Sequence, residues 1–146
     1  MPQADCRLAG EPRSSGLARR FLAERLAAWG GQEYGDAATL LIGEMVANAV
    51  LHARTDLTVR LSMHDAGLRI EVSDLSDRRP VVRHYSMEST TGRGLGLIDE
   101  MAQRWGVTDA PPGSGKTVWV ELDAAAMAGN HAGGATSGTS QSGGVG

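Results

Sequence analysis

The chain has 146 residues, a length that fits one domain, and its 14 Lys and Arg against 17 Asp and Glu leave a net charge of -3. That balance gives no general attraction to nucleic acid or to an anionic membrane. The single cysteine, Cys6, excludes an internal disulfide, and the opening MPQADCRLAGEPRSS has no apolar core of the kind a signal peptide needs, so a cytoplasmic location is expected.

Residues 1–13 form an N-terminal lead-in, read as an extended segment or an edge strand. Ser14 or Ser15 is placed to cap a first helix through Phe21, Leu22, Leu26 and Trp29, which Gly30-Gly31 closes. A second helix is expected from about Asp36 to His52. Its span of low polarity, Ala37 to Ala53, is short for a membrane crossing and carries Glu44 and Asn48 in its middle. Leu57–His64 (LTVRLSMH) alternates apolar and polar residues as a strand does, Asp65-Ala66-Gly67 is a hairpin turn, and Leu68–Ser73 (LRIEVS) alternates again as the partner strand. Leu75 to Thr91 has little periodicity and contains Pro80, and reads as a long loop. Helical spacing returns from Gly94 to about Arg104, and Thr117–Leu122 (TVWVEL) is a last strand. From Ala124 to Gly146 there is no charge and almost no large apolar side chain, a composition that predicts a disordered tail. The domain is therefore expected over 14–123. Its pattern predicts an α+β fold: a two-layer sandwich with a mixed, mostly antiparallel sheet covered on one face by helices. Trp29, Trp105 and Trp119 are core candidates.

Three places carry candidate chemistry. Glu44 and Asn48 lie four residues apart and share one face of a helix otherwise apolar on nearly every side. They read either as a polar face turned to solvent or as ligands inside a site, because a buried carboxylate needs a partner. His52, four residues further on, suits the negative end of the helix dipole. Asp74 ends a strand, where a carboxylate either accepts from a ligand amine or braces its own turn. Thr91-Gly92-Arg93-Gly94-Leu95-Gly96-Leu97 sets three glycines at every second position before a helix. This is a phosphate cradle in principle, since glycine lets backbone N–H groups approach an anion and the helix N-terminus adds positive charge. A flexible glycine hinge is the plainer reading. Gly113-Ser114-Gly115-Lys116-Thr117 imitates a P-loop, but Ala110 stands where the first glycine belongs and Thr117 opens a strand where a P-loop opens a helix.

Taken in order, LIGEMVANAVLHA, a hairpin ending in VSDLSDRRP, TGRGLGLI and GKTVWVEL resemble the GHKL ATPases, which have the Bergerat ATP-binding fold. The similarity is greatest to the small anti-sigma-factor serine/threonine kinases and related actinobacterial regulators, and it runs from about Ser14 to Leu122. The resemblance implies ATP and Mg2+ as cofactors. It makes Glu44 the general base or the group that orients the nucleophile, Asn48 the Mg2+ ligand and Asp74 the acceptor for the adenine amino group. The backbone of Gly92, Gly94 and Gly96, with Leu95 between the last two, would hold the phosphates. Thr117 would support the adenine site, and 75–91 would be the ATP lid. Arg93 would stabilise γ-phosphate charge or remain a solvated lid arginine. The chain departs from the family's D-x-G-x-G box, with Leu75, Ser76, Asp77 and Arg78 after Asp74. The activity implied is that of an anti-sigma factor that phosphorylates a STAS-type anti-anti-sigma protein; its partners would be that protein and a sigma factor, with no direct contact to nucleic acid or membrane. Related domains often dimerise, so a homodimer is also among the expectations, although no interface is visible in the sequence. The alternative is a regulatory binding module, with or without nucleotide, that lacks kinase activity.

Overall fold

The computed structural model describes residues 2–75, 94–109 and 115–133. The elements are β1 (Gln3–Leu8), α1 (Ser14–Trp29), a 3-10 turn (Gln32–Tyr34), α2 (Gly35–His52), β2 (Leu57–Met63), β3 (Gly67–Asp74), α3 (Gly94–Met101), β4 (Arg104–Asp109), β5 (Lys116–Asp123) and α4 (Ala124–Gly133). The strands form one five-stranded sheet in the order β1-β2-β3-β5-β4, and every pairing among them is antiparallel.

The pleat decides which residues meet the helices. Leu57, Val59 and Leu61 of β2, Leu68, Ile70 and Val72 of β3, and Val120 and Leu122 of β5 are buried with Ala18, Leu22 and Leu26 of α1 and Leu41, Ile42, Met45 and Val46 of α2. Full burial of such a side chain stabilises by about 1.5–3 kcal/mol, so this face holds the two layers together. The opposite face is polar. Arg60 pairs with Asp5 across β1 and β2, and Arg69 joins Glu71 and Glu121 while its guanidinium stacks 4.4 Å from the Trp119 ring centre. Trp119 thus belongs to the outer face and not to the core, because it is one residue out of phase with Val118 and Val120; Trp29 and Trp105 do pack against the core.

Of the two readings of the lead-in, the edge strand holds: it is β1, paired to β2 from Gln3 to Leu8. Three expectations need correction. The residue before α1 is Arg13, without a side-chain cap, since the Ser14 hydroxyl donates to the Ala9 carbonyl at 2.6 Å instead; Gly30 ends the helix at φ 71° as anticipated. The helix expected to reach Arg104 stops at Met101, and Arg104–Asp109 is a strand on β5. Gly106 sits opposite Trp119, where a β-carbon would crowd the indole. Finally, 124–133 is the helix α4 and not disordered: Met127 is buried in the core, and the Ala124 N–H donates to the Ala66 carbonyl.

Candidate functional site

α2 crosses the sheet near the end where β3 finishes and β5 begins. Asp74 and Lys116 face each other in register there, both on the helix side of the sheet. Lys116 Nζ lies 3.1 Å from Asp74 Oδ1 and 3.0 Å from Oδ2, and the side chains are 5% and 3% exposed. The turn before β5 makes this possible. Gly115 has φ 92°, a conformation that favours glycine, and a β-carbon there would overlap the carbonyl of Asp74.

The pair lines a small cavity of about 20 Å³ with Met45, Asn48, Ala49, His52, Val72, Ile98 and Val118 among its walls. The walls are mostly apolar, and the polar groups converge from two directions: a carboxylate and an ammonium from the sheet, an amide from α2. The Asn48 side-chain nitrogen is buried and has no acceptor among the described residues. A buried amide donor without a partner is costly unless a ligand satisfies it. Asp74 and Lys116 also border a larger cleft of about 310 Å³ beyond the strand ends, with Arg7, Asp56, Thr58, Ser73, Leu75 and Thr117.

The structure thus brings Asn48 and Asp74 to one cavity. Glu44 lies one turn earlier on α2, partly buried, outside the cavity lining. Gly94, Leu95 and Gly96 form the first turn of α3 and do not precede it, and Ile98, in the next turn, reaches the cavity. Gly92, Arg93 and 76–91 lie outside the described residues. Thr117 is elsewhere: its hydroxyl is 2.7 Å from that of Ser73 on the outer face of the sheet. Adjacent strand residues point to opposite faces, so with Lys116 turned inward Thr117 must turn outward.

Lys116 is the site residue that sequence reasoning passed over when the P-loop imitation was set aside. The signal was present, because Lys116 is in phase with Val118, Val120 and Leu122, as Asp74 is with Leu68, Ile70 and Val72. An ionic residue in phase with an apolar face must be paired or functional. Among the described residues no group of three or more His, Cys, Asp or Glu is placed to hold a metal. A cation here would take few protein ligands and the rest from a bound molecule, the habit of Mg2+. No described helix is long and apolar enough to cross a membrane.

Comparison with known proteins follows the same line. The model of the histidine kinase-like ATPase domain family matches residues 8–122. Among solved structures, the chain is similar to the RsbU and RsbW domains of Rv1364c from Mycobacterium tuberculosis, with a TM-score of 0.63 and 19% identity. That match covers 84% of this chain and 32% of the other, so the chain spans about a third of the protein it resembles. No curated protein matches. With most of its length matched by one family model and a helix-covered antiparallel sheet to agree with it, this chain belongs to the histidine kinase-like ATPase domain family.

Proposed function

We propose that the protein is an ATP-binding, partner-switching regulator: an anti-sigma factor that phosphorylates a STAS-type antagonist on serine or threonine. The observation that carries the nucleotide part is the Asp74 carboxylate on the sheet facing the Asn48 amide from α2 across an apolar cavity. Asp74 accepts the adenine amine, and the apolar walls meet the faces of the base. The first turn of α3, with Gly94 and Gly96, offers backbone N–H groups to phosphate oxygens. Asn48 would hold Mg2+ through its amide oxygen, and the ion would supply charge neutralisation at the phosphates. Glu44 takes the hydroxyl proton as the substrate oxygen attacks the γ-phosphorus and the bond to the β-phosphate oxygen breaks. The anti-sigma role rests on family resemblance and on the likeness to a structure containing an RsbW domain.

Calorimetric titration of Mg-ATP into wild type, Asn48→Ala and Asp74→Asn tests the site. Both substitutions are expected to weaken binding by about tenfold or more, the loss of a charge-assisted hydrogen bond or metal ligand. A folded wild type that binds no Mg-ATP refutes the nucleotide reading. Phosphate transfer to antagonist proteins, abolished in Glu44→Ala with ATP binding retained, tests the kinase.

A second reading, regulation by protein contact alone, has a specific observation in its favour. Leu40 and Leu51 are 53% and 47% exposed, and with exposed Ala47 they line the same outer stripe of α2 as Glu44. Full regulatory activity in Glu44→Ala cells would select it.

A further inference from the structure

The cavity holds buried N–H groups that no acceptor among the described residues takes. An ammonium has three N–H groups, and among the described residues Lys116 meets the two oxygens of Asp74. At least one N–H of Lys116 is therefore left over inside a site where the side chain is 5% exposed. The Asn48 nitrogen, on the facing wall, has no acceptor among the described residues either. A ligand that completes this site must bring acceptors as well as the donor that Asp74 takes.

The space leads to the same chemistry. About 20 Å³ admits one water and no purine, so a base enters only as the walls part, the Lys116 seat across both carboxylate oxygens among them. Full departure of Lys116 is disfavoured, because it would leave the Asp74 carboxylate buried without its counter-ion. A carboxylate has about four lone-pair sites, so one Asp74 oxygen can accept a ligand amine while the other keeps Lys116.

We propose that Lys116 reads the base together with Asp74, the carboxylate accepting the exocyclic amine of adenine and the ammonium donating to the ring nitrogen beside it. This rests on the nucleotide reading above and adds to it a specificity-determining residue. Adenine carries an acceptor on either side of its amine, N1 and N7, and a donor adjacent to the Asp74 oxygens reaches one of them. The contact is charge-assisted and buried, so it is among the stronger hydrogen bonds a base can make.

The test compares Mg-ATP, Mg-1-deaza-ATP and Mg-7-deaza-ATP, each analogue replacing one ring nitrogen with C–H, by calorimetry on the wild-type protein. One of the two analogues is expected to bind about 10- to 100-fold more weakly than ATP, the loss of a hydrogen bond to a charged group. In Lys116→Met that preference should fall to within about threefold, since the donor is gone. If Lys116→Met does not fold, the double variant Asp74→Asn with Lys116→Met, which buries no charge, takes its place in the same comparison. Wild-type protein that binds ATP and both analogues alike overturns the role of Lys116 and leaves the nucleotide site standing. Undiminished preference in the Lys116 variant also overturns it. Folded wild type that binds no ATP overturns the nucleotide reading, and this inference with it.

Discussion

Lys116→Met is the substitution whose cost the structure defines best. The two side chains lie 3.0–3.1 Å apart and are 3–5% exposed. At that separation, with an effective dielectric near 20, the attraction is about 5 kcal/mol, and the desolvation of both ions offsets much of it. Removing one partner keeps the desolvation and loses the attraction, so the expected loss is about 3–5 kcal/mol. For a domain of this size that lowers Tm by roughly 10–20 °C, a large part of the about 5–15 kcal/mol that holds a typical domain folded. Replacing both ions, Asp74→Leu with Lys116→Met, should return to within about 1–2 kcal/mol of wild type, because no charge is left buried. Urea denaturation followed by circular dichroism on wild type, the two single variants and the double variant closes the cycle. A single variant that costs less than about 1 kcal/mol would refute the reasoning, since that is the behaviour of an exposed pair.

Three further outcomes are expected. Thr117→Val should leave ATP affinity within about twofold and cost about 1 kcal/mol of stability, because the hydroxyl serves the Ser73 contact on the outer face; a tenfold loss of affinity would return Thr117 to the site. Met127→Ala should destabilise by about 2–4 kcal/mol, as a buried core residue does, whereas a disordered tail would show no change in urea denaturation. The hydrogen bond from Arg104, aided by Arg69, holds the Glu121 carboxyl below its ordinary value of 4.5. Its contribution is complete above that value and is lost as pH falls through the lowered folded-state value. Stability curves of wild type and Glu121→Gln should therefore converge in acid, and parallel curves would contradict the ion pair.

Much of the architecture was legible in the residues. The alternation of LTVRLSMH and LRIEVS, broken by Asp65-Ala66-Gly67, specified a hairpin and its inward face, and the observed register keeps it. Gly30 marked the end of α1 because a left-handed residue closes a helix and glycine adopts that conformation at least cost. Glu44 and Asn48 were identifiable as polar residues on an apolar helix, and Asp74 as an acid at a strand end.

What escaped the sequence depended on neighbours distant in the chain. β4 shows no alternation because Gly106 faces Trp119 across the pair on the outer face, and a glycine covered by another strand's indole leaves no pattern of its own. α4 is nearly uniform alanine and glycine; it forms where Ala124 meets the Ala66 carbonyl and Met127 finds the core. The choice between Lys116 and Thr117 turned on a single residue of pleat phase. The residues alone supplied a family, an order of elements and a set of candidate groups, since local periodicity and glycine placement suffice for those. Only the tertiary structure seated the Lys116 ammonium on Asp74 and turned Thr117 away, because the face a strand residue presents is decided by the sheet it joins.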